Sequence, residues 1–317
     1  MPGPPLGAIL PQVRTVTFLF WGSLAACTAQ VSGSVPDAGA SSDAGRGPDA
    51  GTGPDAGVDA GTADAGAPDA GVRDAGATDA GVRTYRTLFP LGENPISEGG
   101  MWTTGHAAGQ SCGGYCWGDV QIRPDGGLAS GVDEPTQYGD PTAILTGTWG
   151  DTQTASAVVH APVPAPNGGC CMEAEVRLRF NISAGVATGY EIYCSILSSN
   201  TYCHVASWGG PNGAWVNLDG PSWDTNNPEC PGFPVSGPQI LREGDVLSAT
   251  VSGSNPVTIT GSINGTPFVT VVDQGKCHFN PPNSGPYGPW PSGAPGIGFY
   301  GSGFDTFGFT SFTASAQ

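Results

Sequence analysis

Twelve residues of strict alternation, Cys171 to Ile182, constrain this chain more than any other feature. Met172, Ala174, Val176, Leu178, Phe180 and Ile182 interleave with Cys171, Glu173, Glu175, Arg177, Arg179 and Asn181. A side-chain period of two belongs to a β-strand, so this run is a strand with an apolar face toward a core and a charged face away from it. Tyr190 to Leu197 and Thr201 to Trp208 follow, joined by Ser198-Ser199-Asn200, and read as a hairpin. With Cys194 opposite Cys203, Ile192 and Val205 share the buried face. Glu191, Tyr193, His204 and Trp208 then join Glu173, Glu175, Arg177 and Arg179 on the open face, which is the candidate functional surface.

The rest of the C-terminal part reads the same way. Short runs of Val, Ile, Thr, Tyr and Phe are punctuated by Gly, Pro, Asn and Ser, with almost no helical periodicity, which predicts an all-β antiparallel two-sheet sandwich. Strands are expected at Ala143 to Trp149, Thr152 to Ala161, Asp245 to Val251, Pro256 to Ile263, Phe268 to Val272, Gly296 to Tyr300 and Thr306 to Ala314. Asn264-Gly265 between two of them is a two-residue hairpin turn. Gly105 to Tyr138 reads as an irregular, glycine-rich loop. Gly209 to Pro238 is a Trp/Pro/Asn-rich excursion too long for a connector, and such loops on a rigid sandwich often carry binding residues.

Several of these strings resemble a known superfamily. Glu243-Gly244-Asp245-Val246-Leu247, Val257 to Ile263 with Asn264-Gly265, and Asp273 are similar to the middle of a concanavalin A-like, laminin-G-type domain. Pro295-Gly296-Ile297-Gly298-Phe299-Tyr300 and Gly308-Phe309-Thr310-Ser311-Phe312 resemble its last two strands, and Asn94 to Trp102 its opening. The resemblance implies a jelly roll whose concave sheet faces saccharide. It leaves function open, because the superfamily includes lectins, adhesion modules, glycosidases and lyases.

The N-terminal quarter is of another kind. Arg14 precedes an apolar run from Val16 to Leu24 that is too short to span a bilayer and reads as a signal peptide. Leu24-Ala25-Ala26-Cys27 resembles the lipobox of bacterial lipoproteins. That resemblance implies a signal at 1–26, lipidation of Cys27, membrane attachment through it, and an outer-membrane or cell-surface address. From 27 to 83 the chain repeats Asp-Ala-Gly, starting at Asp37, Asp43, Asp49, Asp55, Asp59, Asp64, Asp69, Asp74 and Asp79. Without aromatic residues it cannot offset the entropy of ordering, so a disordered, self-repelling tether of about 40 Å r.m.s. span is expected. The folded domain occupies 84–317.

Removing Cys27 leaves an even number of cysteines, which in an oxidising compartment implies disulfides. Cys194–Cys203 is the pairing the hairpin predicts. The chain holds 27 acidic against 10 basic residues, a net charge of −17, which argues against nucleic acid and against strongly anionic glycan as partners. A neutral or weakly charged polysaccharide or glycoconjugate, bound by a monomer, is the expected partner.

Three chemistries suit the open face. Recognition without bond breaking needs an aromatic platform with carboxylate, amide or guanidinium groups. Glu173, Glu191, Arg179, Trp208, Trp215 and Trp223 are the ligand-binding candidates, with Asn212, Asp219, Asp224, Asn226 and Asn227 nearby and Trp117 and Trp290 in glycine-rich loops. A lyase would use Tyr193 and His204 on the α-proton and Arg177 to neutralise a uronate. A glycoside hydrolase would use Glu173 and Glu175, although Arg177 beside them is expected to keep a carboxylate ionised. A purely structural or adhesion role is the remaining class. A structural calcium ion is common in the superfamily, so the resemblance leaves room for one, although no acidic loop has a matching ligand spacing to place it; no other cofactor is expected. Lectin-like binding leads these readings.

Overall fold

The alternating run forms the central strand of a sheet, as its period requires. A computed structural model describes residues 81–106, 117–132, 140–164, 171–183, 186–219, 236, 239–277, 288–301 and 303–317. The signal, the lipobox with Cys27, nearly all of the tether and Trp223 lie outside the described residues. Every named element is a strand, and no helix among the described residues is long and apolar enough to cross a membrane.

One sheet has seven strands, in the order β10 (Trp215–Asn217), β9 (Cys203–Gly210), β8 (Val186–Ser195), β7 (Met172–Ser183), β14 (Ala294–Gly301), β5 (Thr142–Leu145) and β2 (Trp102–Thr104). The other has eight. Its order is β13 (Thr266–Asp273), β12 (Val257–Ile263), β11 (Val246–Ser252), β6 (Gln153–His160), β15 (Gly308–Ala316), β4 (Ala129–Gly131) and β3 (Val120–Ile122), and β1 (Arg83–Thr87) also pairs with β15. All pairings are antiparallel. This is the all-β two-sheet sandwich that the punctuation and the superfamily resemblance implied.

The core lies between the sheets. Val176, Leu178, Ile192 and Val205 point in from the seven-stranded sheet, and Val251, Ile259, Phe268 and Val271 from the other, all fully or almost fully buried. Side chains of this size contribute about 1.5–3 kcal/mol each when buried. The sheets approach so closely at Gly261 that a Cβ there would meet Phe268 Cζ at 2.6 Å and Ile192 Cγ2 at 3.0 Å. The Asn264-Gly265 turn has positive φ at both residues, 52° and 75°, the primed geometry expected of that dipeptide.

Short elements escaped the sequence reading. β3 and β4 arise within the segment read as an irregular loop, β10 within the long excursion, and β1 begins at Arg83. β1 is fastened by more than its ladder. Arg83 donates from Nη1 to Thr148 O (2.6 Å) and from Nη2 to Thr146 O (2.9 Å), and lies over the Trp149 ring. Tyr85 and Thr87 both donate to the Glu98 carboxylate.

Candidate functional site

The outer face of the seven-stranded sheet carries a cleft of about 550 Å³. Glu173 and Glu175 of β7, Glu191 and Tyr193 of β8, and His204 and Trp208 of β9 reach it together because they share one side of the pleat. Glu175 is paired with Tyr193, and Tyr193 with His204. Cys194 is disulfide-bonded to Cys203 directly beside that row. Trp215 and Asn217 of β10, Asn200 and Tyr202 of the hairpin, Asp140 before β5, Cys171 before β7, Asn212 and Gly213 between β9 and β10, and Tyr300 of β14 complete the lining. Asp140, Asn200, Tyr202, Asn217 and Tyr300 were not singled out from the sequence. Tyr202 alone carried a signal, as the neighbour of a hairpin cysteine.

Arg177 shares the open side of the pleat but not its exposure. It is 0% exposed and packed against Trp117, Phe180 and Trp208, with its Cζ 4.5 Å from the Phe180 ring centroid. Nη2 lies 2.5 Å from both Asp140 Oδ1 and Glu175 Oε2, and Nη1 is 2.7 Å from Glu191 Oε2 but off the hydrogen-bond line. Arg177 is therefore a buried counter-ion to three carboxylates, which corrects the expectation of a guanidinium free to meet a substrate. Room for the cluster depends on Gly298 in β14. A Cβ there would stand 2.3 Å from Glu175 Oε2 and 2.5 Å from Arg177 Nε.

Arg179 leaves this face altogether. β7 bulges between Leu178 and Asn181, and Arg179 takes a left-handed φ of 48°. Its guanidinium donates to the carbonyls of Asp151 (2.7 Å), Trp290 (2.8 Å) and Gly253 (2.7 Å), and its backbone N–H to Gln153 Oε1 (2.8 Å). Arg179 is a structural clamp, not the ligand-binding residue the alternation suggested. Strict period two fails here because the bulge adds a residue without a partner.

The tryptophans also divide. Trp208 is 3% exposed, donates from Nε1 to Glu191 Oε2 (2.6 Å) and stacks edge-on against Trp117, which is fully buried. It floors the cleft and cannot be an open platform. Trp215 is half-buried at the cleft wall, its ring centroid 6.2 Å from that of Trp208. Trp290 is partly buried, with Nε1 donating to Ser207 Oγ.

Charge in the cleft is shaped by burial. It lifts the Glu173 carboxyl to about 8, against the Tyr202 hydroxyl that donates to it. It lifts Glu191 to about 7, against the attraction of Arg177. Glu175 is raised well above the ordinary carboxylate range, first by burial and then by Glu191, and Asp140 is raised by burial. The neighbouring Arg177 was expected to keep such a carboxylate ionised, but desolvation outweighs it. Burial opposes the charge on Arg177 too, yet Glu191, Glu175 and Asp140 together hold it protonated. Tyr193 donates to Asn217 Oδ1 (3.0 Å), and burial raises its hydroxyl far above the ordinary value. His204 Nδ1 faces Asp219 Oδ2 at 3.2 Å, and its ring stacks on Tyr202.

These shifts imply a pH dependence of stability. The folded Glu173 and Glu191 keep protons that the unfolded chain, with its ordinary value of 4.5, has already released. Their contribution is complete below that value and is lost as pH rises through about 7 for Glu191 and about 8 for Glu173. The urea midpoint is expected to fall between about pH 5 and pH 8, with part of the slope removed in Glu173→Gln. A flat midpoint over that range would refute the assignment.

Among the described residues, Asp140, Glu175 and Glu191 are the trio whose oxygens converge within 4.8 Å as a metal site would require. Arg177 already stands among them as the cation. The trio does not fit a calcium ion while that guanidinium is in place.

No family model and no curated protein matches the chain. Among solved structures it is similar to the metal-free carbohydrate recognition domain of Emp46p, at 11% identity over 68% of this chain and 87% of that one, with a TM-score of 0.37. It is also similar to the exoplasmic/lumenal domain of VIP36 in its Ca2+/Man3GlcNAc-bound form, at 10% identity, 72% and 86% coverage and a TM-score of 0.38. Peanut lectin with a bound peptide matches at 11% identity, 74% and 97% coverage and a TM-score of 0.35. Likeness at this level assigns no activity. The reading of the site rests on its own residues.

Proposed function

We propose that this protein binds carbohydrate in the cleft of its seven-stranded sheet. The supporting observation is the lining itself. Half-buried Trp215 and Tyr202 rings stand beside the amides of Asn200, Asn212 and Asn217 and the carboxyl of Glu173. Sugars offer apolar C–H patches and directional hydroxyls, and this combination answers both. The wider reading is an exported monomeric lipoprotein held to a bacterial outer membrane through Cys27, with the Asp-Ala-Gly segment as spacer. It assigns no metal and no nucleic-acid partner.

A lyase reading loses its electrophile, since Arg177 is buried among carboxylates and no other Arg or Lys lines the cleft among the described residues. A hydrolase is the second reading, favoured by one observation: the Glu173 carboxyl at about 8 holds its proton at neutral pH, as a general acid must. One experiment separates the classes. The domain is titrated with a panel of defined oligosaccharides by calorimetry, and the mixtures are assayed for new reducing ends. Binding without product, weakened at least about tenfold by Trp215→Ala, is expected. New reducing ends abolished by Glu173→Gln would establish the hydrolase, and binding to no member of the panel would sink the proposal.

A further inference from the structure

Glu173, Glu175, Glu191 and Asp140 all line the cleft, and among the described residues their one cationic partner is Arg177, which lies behind them and out of solvent. Three carboxyls share that guanidinium at 2.5, 2.5 and 2.7 Å. Glu173 accepts from the Tyr202 hydroxyl, its one hydrogen-bond partner among the described residues. The other groups around it are Cys171 before β7, Tyr193 from β8, Tyr300 from β14 and the His204–Asp219 pair from β9 and the segment after β10. None of these brings a permanent positive charge. Lining carboxyls outnumber the fixed cation by three, and this imbalance sits in a site walled by aromatic rings.

We propose that the ligand completes this charge set: it is a glycan bearing protonated amino groups, bound with an ammonium against the Glu173 carboxylate and its sugar face on Trp215 and Tyr202. The proposal rests on the carbohydrate reading above and specifies its substrate class. An ammonium there meets a carboxylate in a partly desolvated site, where ion pairing is stronger than in water, and adjoining rings add cation–π attraction. A uronate would instead meet carboxylates and no accessible guanidinium. An acetylated amine would bring no charge to offset the excess. The raised carboxyl of Glu173 fits the same picture, because in the free protein a proton stands where the ligand cation would. Binding therefore displaces that proton.

The test compares glucosamine oligosaccharides of equal length, fully deacetylated and fully N-acetylated, on the intact protein by calorimetry. Measurements at mildly acidic pH, where the oligomer's amines already carry their protons and Glu173 still keeps its own, in two buffers of different ionisation enthalpy count the protons released. The expected result is at least about tenfold tighter binding of the deacetylated oligomer, with about one proton released per ligand. Glu173→Gln keeps an acceptor for Tyr202, and is expected to remove both the preference and the proton release while the thermal melt stays cooperative. Equal binding of the two oligomers, or tighter binding of the acetylated one, would overturn the amine and leave the glycan reading standing. Binding of neither, while another sugar of the panel binds, would do the same. Calcium alone, titrated without sugar and releasing the same proton, would assign the carboxyls to a metal and overturn the amine. Failure of every sugar would remove both readings together.

Discussion

Arg177→Ala is expected to destabilise the sandwich by about 3–5 kcal/mol, because it leaves Asp140, Glu175 and Glu191 buried around a vacated cation site. Those carboxyls would have to take up protons to stay buried, so the deficit should widen as pH rises through neutrality, where protons become scarce. Urea unfolding of the variant and the parent at about pH 5 and about pH 8 measures both effects. The comparison that isolates the charge is Arg177→Met combined with Glu175→Gln and Asp140→Asn. Once the carboxylates are neutral, an apolar side chain of similar volume should recover much of the loss. An Arg177→Ala deficit that is the same at both pH values would mean the guanidinium acts only as a packing element against Phe180 and Trp117.

Arg179→Ala is expected to cost about 3 kcal/mol or more for a different reason. Its guanidinium supplies donors to three backbone carbonyls, those of Asp151, Gly253 and Trp290, and a charge-assisted hydrogen bond is worth about 1.5–3 kcal/mol. Arg179 also holds a left-handed φ of 48°, which a glycine adopts without penalty. Arg179→Gly should accordingly be more stable than Arg179→Ala by about 1 kcal/mol, although both lose the same donors. Ligand affinity should be unchanged in whatever fraction remains folded, because Arg179 does not reach the cleft. Reduced affinity in folded Arg179→Gly would contradict that placement.

These two arginines show what the sequence could and could not convey. Both occupy charged positions of one alternating run, and period two places them on the same face. The hydrophobic pattern predicted the strand, the hairpin, the Cys194–Cys203 bridge and the convergence of Glu173, Glu175, Glu191, Tyr193 and His204, since all follow from pleat and register. It could not predict the bulge at Arg179, because no glycine or proline marks it. Nor could it foresee that Arg177 would be covered. Two of the groups that cover and neutralise it, Trp117 and Asp140, lie within and just after a glycine-rich stretch without periodicity, and Asp140 is 37 residues away in the chain. Gly298 was the one local hint. A glycine on the cleft side between two core-facing residues, Ile297-Gly298-Phe299, marks a place where a neighbour must come close. Trp215 stood out by residue type alone, but Asn217 and the strand that holds both were hidden, because β10 has three residues, too few for alternation to register.

β1 meets the strand that ends the chain, Arg83 pairing with Ala316, so the described chain enters the sandwich beside its last residues. A pull on whatever precedes Arg83 must first break the Arg83 contacts to Thr146, Thr148 and Trp149, then the grip of Tyr85 and Thr87 on Glu98, together with the β1–β15 ladder. Mechanical load entering at that point is thus shared by both layers, and the edge strand is riveted against peeling.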